Sequence, residues 1–157
     1  MKKICGNLIL VVFLLGATLM FTACNSDDKE PSDGRSQYSA KLLYEGDFDK
    51  YFNIAIFDGG GLNNLNVELI DDETGKTLPS NGLNSDTYNF KSYNKFSLSK
   101  KVSHFGFRVS AMTYEEVVGG MTVTVKVYKD GKLIDTISDT ASISKKASIN
   151  KSYGDAL

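Results

Sequence analysis

Met121-Thr122-Val123-Thr124-Val125-Lys126-Val127-Tyr128-Lys129-Asp130-Gly131-Lys132-Leu133-Ile134 decides the fold class. Val123, Val125 and Val127 alternate with Thr122, Thr124 and Lys126, which is the period of a strand with one buried face. Asp130-Gly131 is a residue pair preferred in two-residue hairpin loops. Such a loop sets Lys129 opposite Lys132, Tyr128 opposite Leu133 and Val127 opposite Ile134. The inward set is then Val123, Val125, Val127, Ile134 and Thr136. The outward set includes Tyr128, Leu133 and Ile137, an unusually apolar surface that is either covered or a contact patch. Cover by the C-terminal segment 141–149 is the expectation.

The same alternation extends toward the N-terminus. Residues 38–44 form a strand candidate, and 51–57 place Phe52, Ile54 and Ile56 on one face. Residues 64–70 group Leu65, Val67 and Leu69, with Asn66 and Glu68 opposite. Residues 95–99 form a short run. Residues 102–111 hold Phe105, Phe107 and Val109 on one face and His104, Gly106 and Arg108 on the other. Glu73-Thr74-Gly75-Lys76 is a second turn. No segment keeps a helical apolar period over three turns. About seven or eight short strands without a long helix predict an all-β fold. The architecture expected is a single antiparallel β-sandwich, immunoglobulin-like or transthyretin-like.

Residues 1–23 read as a removable export signal. Lys2 and Lys3 form a basic start, Leu8 to Met20 is an uncharged apolar run, and small residues precede Cys24. Residues 24–36 are polar, with Pro31 and Gly34, and read as a flexible acidic tether. Residues 37–157 are left for the sandwich, one domain by size. Loss of Lys2 and Lys3 takes Lys+Arg from 18 to 16 against 19 Asp+Glu, a net charge near −3. That balance argues against a nucleic-acid partner.

Phe21-Thr22-Ala23-Cys24 resembles the lipobox of bacterial lipoproteins. The resemblance implies that the Cys24 thiol receives a diacylglycerol and that the chain is cut before it. Further acylation with palmitate-type chains then gives stable anchoring. Asn25-Ser26-Asp27-Asp28-Lys29-Glu30 resembles the acidic export tag of bacteroidete surface lipoproteins, which implies the outer face of the outer membrane. Residues 96–99, 102–111 and 121–134 resemble the final strands of small envelope sandwich domains, among them the MmpS-type accessory proteins of mycobacterial exporters. That likeness spans 96–141 and implies a sandwich.

Little in the chain points to catalysis. Cys5 leaves with the signal, so an acylated Cys24 leaves no free thiol for disulfides or thiolate chemistry. His104 is the only histidine and reads as a surface strand residue. Carboxylates gather at Asp47 and Asp49, at Asp58, and at Asp71-Asp72-Glu73. None completes an Asp-x-Asp-x-Asp-Gly loop, so they read as solvated turns, with no metal and no cofactor expected. Asp58-Gly59-Gly60-Gly61 lacks the ending of a phosphate loop and reads as a mobile loop at the sandwich edge.

Tyr88-Asn89-Phe90-Lys91-Ser92-Tyr93 interleaves aromatic and polar groups. Either Tyr88, Phe90 and Tyr93 form a platform for sugar or protein, or Phe90 is core and the tyrosines are its half-exposed neighbours. Asp135-Thr136-Ile137 and Asp139-Thr140-Ala141 resemble the O-glycosylation motif of bacteroidete exported proteins. The hairpin register turns Thr136 inward, so Thr140 is the better candidate.

Together these features predict a lipid-anchored envelope protein, non-enzymatic, acting as a binding, adhesion or accessory module on the outer-membrane surface. Its partners would be the membrane, through the lipid on Cys24, and a protein or glycan. The alternative is a periplasm-facing accessory subunit of an envelope or transport complex. A small hydrolase is the third reading.

Overall fold

A computed structural model describes residues 34–60, 67–79, 82–113 and 119–154. The signal, Cys24 and the tether through 33 lie outside the described residues. Strands follow one another as β1 Tyr38–Gly46, β2 Phe52–Gly60, β3 Leu69–Asp71, β4 Thr77–Leu78, β5 Leu83–Asn84 and β6 Tyr93–Leu98. β7 His104–Met112, β8 Met121–Lys129, β9 Lys132–Ala141 and β10 Ala147–Gly154 complete them. A single turn of 3-10 helix, Phe48–Lys50, links β1 to β2. Every strand pairing is antiparallel, in a six-stranded sheet β4-β3-β6-β1-β8-β9 and a four-stranded sheet β10-β7-β2-β5. The fold is therefore an all-β sandwich, as the alternation predicts. The strands beyond the expected seven or eight are short: β4 and β5 have two residues each, too few to show a period.

The inward residues of each strand make one core. Val123, Val125 and Val127 of β8 are fully buried beside Ala40 and Leu42 of β1. From the opposite sheet come Phe105, Phe107 and Val109 of β7, as their spacing predicts. Burying such side chains contributes roughly 1.5–3 kcal/mol each. Aromatic rings bind the two layers: Tyr38 stacks on Phe105 and Phe57 meets Phe96, both at 5.2 Å between ring centres.

β2 turns the other way from the apolar grouping on Phe52, Ile54 and Ile56. Tyr51, Asn53, Ala55 and Phe57 are buried, and the Phe52 face lies half-buried on the outside of its sheet. The glycine run also differs from the expected loop, because β2 continues through Gly60. Gly59 lies on the inner face, where an added Cβ would come within 2.7 Å of Leu98 Cδ1. Gly61, and Leu65 of the expected 64–70 strand, lie outside the described residues.

The β8–β9 hairpin has the expected loop. Asp130 and Gly131 both take positive φ, 50° and 77°, the signature of a type I′ turn. Lys129 pairs with Lys132 and Tyr128 with Leu133, but Val127 then pairs with Asp135 and not with Ile134. Ile134 is the extra residue of a β-bulge, and a one-residue slip exchanges the faces of everything beyond it. Ile137 therefore points inward against the core, while Thr136 and Thr140 are both exposed. The register argument against Thr136 accordingly falls away.

The bulge has a tertiary reason. It aims Asp135 and Asp139 at β10, where Asp135 accepts from the Tyr153 hydroxyl at 2.8 Å. Asp139 accepts from Ser148 N at 2.9 Å and from Lys145 Nζ at 2.8 Å. The C-terminal segment does not cover Tyr128 and Leu133. β10 crosses to the other sheet and pairs with β7, which leaves Leu133 53% exposed.

Gly59→Ala should cost about 1–3 kcal/mol, because the methyl overpacks a filled core. Urea unfolding should show a lower midpoint with an unchanged slope. An unchanged midpoint would mean that Leu98 yields freely.

Candidate functional site

Of the three acidic residues 71–73, Asp71 and Asp72 are structural acceptors, whereas Glu73 is solvent-exposed as a solvated turn would be. Asp71 is buried and accepts from Glu73 N at 2.9 Å, from Thr74 N at 3.2 Å and from the Tyr88 hydroxyl at 3.0 Å. Burial pushes its carboxyl upward. The hydrogen bonds from Glu73, Tyr88 and Thr74 outweigh that and hold it below the ordinary carboxylate value. Asp72 accepts from the Ser97 hydroxyl and pairs with Lys95 at 2.7 Å. Glu73 pairs with Lys91 at 2.8 Å.

Those bonds also decide the aromatic segment. Phe90 is core, 8% exposed, and packs edge-on against Tyr88 with 5.0 Å between ring centres. Tyr88 also lies against Phe96, and burial, then the Asp71 carboxylate, pushes its hydroxyl well above the ordinary phenol value. Tyr93, 46% exposed, opens β6 opposite Leu43, on the outer face of the six-stranded sheet. The three rings therefore do not share one exposed platform.

Tyr128 and Leu133 do lie together on that outer face, and Ile137 does not. The register adds a feature that period-two reading cannot supply. Lys95, Lys41 and Lys126 stand abreast across β6, β1 and β8. Like charges directly opposite repel. Lys95 is offset by Asp72, and the Lys41 ammonium lies 4.8 Å from the centre of the Tyr128 ring.

A different arrangement occupies the loop end of the sandwich. The 47–51 connection and the 85–92 segment bound a hollow of about 170 Å³, lined by Asp49, Asn53, Ser85, Tyr88 and Asn89 among others. Asn53 is 2% exposed. Its amide nitrogen donates to Phe48 O and Tyr51 O, both at 3.0 Å, which fixes the side chain. Its Oδ1 is buried and has no partner. A buried acceptor without a donor calls for an ion, a water or a ligand to complete it. Asp49 is exposed, and among the described residues its carboxylate makes no hydrogen bond or ion pair.

The oxygens of Asp49, Asn53, Ser85 and Asn89 are hard donors, the type calcium takes from carboxylates, amide carbonyls and loops. Asp49 is the only carboxylate in that set. Among the described residues no three of His, Cys, Asp and Glu converge. The donor chemistry therefore fits a hard cation held weakly. In sequence Asp47 and Asp49 read as solvated turns with no metal, so they gave no pointer to this loop. Asn53 was missed because it reads as the polar partner in an apolar alternation.

A family model described as PLAT/LH2 and C2-like Ca²⁺-binding lipoprotein matches residues 6–148. Among solved structures, the chain is similar to the calcium-bound form of a protein from Parabacteroides distasonis. That likeness has 25% identity and a TM-score of 0.65, over 82% of this chain and 99% of that one. It is also similar to a DUF4425 family protein from Bacteroides ovatus, at 16% identity and a TM-score of 0.58, over 76% and 94%. A DUF4425 domain of unknown function from Bacteroides vulgatus matches at 13% identity and a TM-score of 0.62, over 78% and 98%. No curated protein matches the chain.

Removing the Tyr88 hydroxyl tests the Asp71 cluster. A hydrogen bond to a charged group is worth about 1.5–3 kcal/mol, so Tyr88→Phe should destabilise by that order at neutral pH. Asp71 has a lowered folded-state value. Its contribution is full above the unfolded carboxyl value, near 4, and is lost as pH falls through the folded value. The gap between wild type and variant in thermal melts should therefore narrow toward about pH 2. A gap of constant size would show that ionised Asp71 is not the partner that matters.

Proposed function

The chain belongs to the PLAT/LH2 and C2-like Ca²⁺-binding lipoprotein family, and on that premise we propose that it is a calcium-binding, non-enzymatic binding module. In this reading it is held on the outer membrane by acylated Cys24 and displayed at the cell surface. The observation that carries the calcium part is the buried, unpartnered Oδ1 of Asn53, a residue that lines the loop-end hollow together with Asp49. The solved likeness to a calcium-bound Parabacteroides distasonis protein supports it. Asp49, Asn53, Ser85 and Asn89 would hold the ion, which supplies positive charge to complete the acceptors.

The protein's own part is positional. Phe48 O and Tyr51 O fix the Asn53 amide from one side. Ser85 Oγ accepts from Asn53 N at 2.8 Å and ties the 85–92 segment to β2. The two walls of the hollow are thus joined before any ion arrives. With one carboxylate, affinity should fall at the weak end of calcium sites, about 10⁻⁴–10⁻³ M as in extracellular modules. Calorimetry on the mature protein should give that affinity, and Asp49→Asn should lower it by about tenfold or more. No heat at about 10 mM calcium, a concentration well above that range, overturns the calcium reading.

Location separates this reading from a periplasm-facing accessory subunit. The acidic segment Asn25 to Glu30 supports surface display. Protease added to intact cells should remove the domain. Survival until the cells are broken would support the periplasmic alternative instead.

A further inference from the structure

The outer face of the six-stranded sheet holds a charge arrangement that the fold does not account for. Lys95, Lys41 and Lys126 share one row across β6, β1 and β8, on strands about 4.7–4.9 Å apart. Like charges directly opposite destabilise a sheet. Lys95 has a counter-ion in Asp72 at 2.7 Å. Among the described residues, Lys41 and Lys126 have no carboxylate partner, and Lys126 makes no hydrogen bond. Glu45, on the outer side of β1, stands two rows beyond Lys41, opposite Thr122. On β9 both carboxylates, Asp135 and Asp139, point inward to β10 and its approach. Two uncompensated ammonium groups are therefore held side by side, in a chain whose mature charge is near −3.

The groups around this pair are aromatic and hydroxylic. Tyr128 flanks Lys41 on the β8 side, opposite Ser39, with its ring centre 4.8 Å from the ammonium. Tyr93, 46% exposed, flanks it on the β6 side, opposite Leu43. Strand geometry sets the backbone positions of the two tyrosines about 16 Å apart, on a diagonal that passes through Lys41. Thr122, Thr124 and Ser138 carry the face on toward β9. The exposed apolar side chains, Leu133 and Ile134, stand at the hairpin corner.

A lysine ammonium is a point charge that takes carboxylate or sulfate alike. The electron-rich face of a tyrosine ring receives the C–H groups of a sugar, and Ser and Thr hydroxyls exchange hydrogen bonds with sugar hydroxyls. A protein partner is anchored by side chains set into pockets, whereas this face is an open strip. A lipid surface takes up a broad apolar face, and here the exposed apolar groups occupy one corner. An extended, hydrated polyanion fits the strip along its diagonal.

We propose that this face binds a linear anionic polysaccharide, with Lys41 and Lys126 meeting its carboxylate or sulfate groups and Tyr93 and Tyr128 stacking on neighbouring sugar rings. The inference rests on the reading of the chain as a binding module and gives that module a ligand class. The face shares no residue with the loop-end hollow, so its failure leaves the calcium reading standing.

Calorimetry on the mature protein tests it with polygalacturonate, which carries carboxylates, with a sulfated galactan, and with neutral galactan. At least one anionic polymer should bind about tenfold more tightly than the neutral one, a difference of 1.4 kcal/mol, and the polymer that does names the anion. The advantage should shrink as salt rises. Lys126→Gln should weaken that binding about tenfold and at the same time raise the melting temperature, because it removes a like charge opposite Lys41. Tyr93→Ala should weaken binding and leave its salt dependence unchanged. Equal affinity for neutral galactan, or tighter binding of phosphatidylglycerol vesicles than of either polymer, overturns the polysaccharide assignment. Unchanged binding in Lys126→Gln overturns the site. A lowered melting temperature in that variant overturns the premise that the fold does not need the lysine.

Discussion

Tyr38 and Phe105 lie ring against ring across the two layers, 5.2 Å between centres, and each anchors a central strand. Phe57 extends the contact by meeting Phe96 at 5.2 Å and Phe105 at 6.4 Å. Four strands, β1, β2, β6 and β7, are thereby tied through one aromatic seam. Each such pair adds about 0.5–1.5 kcal/mol beyond the area it buries. The seam constrains what lies outside it. Outside the seam the faces carry lysines, hydroxyls, the half-buried Phe52, Ile54 and Ile56 of β2, and separate rings such as Tyr93 and Tyr128.

The sequence made the sandwich legible wherever a feature was local. β8 alternates cleanly because both its neighbours bury the same face, and Asp130-Gly131 makes its turn with both residues at positive φ. What could not be read depended on contacts distant in the chain. The bulge at Ile134 has no local mark. It answers to Tyr153 and Ser148 on β10, which draw Asp135 and Asp139 inward. β2 misled for a related reason, because both its faces carry large apolar residues. The more apolar one, Phe52, Ile54 and Ile56, lies outside.

The loop-end hollow was not legible. Asp47 and Asp49 read as solvated turns, and Asn53 had no distinguishing neighbour in sequence. Its signal is an amide between Tyr51 and Ala55, a polar residue in what proves to be the inward phase. The Asp71 cluster was read as solvated because acidic turns usually are. Only the return of Tyr88 over Phe96 shows that Asp71 closes a buried network. The family is described as Ca²⁺-binding, and the site proposed at this loop offers oxygen donors of the type calcium takes.

A lipoprotein is confined to a membrane plane, where neighbours meet far more often than in free solution. Exposed strand edges are a hazard under such crowding, since any unpaired ladder can recruit another chain. β9 ends the six-stranded sheet and β10 ends the four-stranded one, so this side of the sandwich presents two edges together. Asp135 and Asp139 point inward from β9 and are locked to β10 and its approach. A foreign strand would have to displace those bonds and leave two carboxylates facing an apolar interior. The same pair that closes the sandwich therefore guards it against templated self-association.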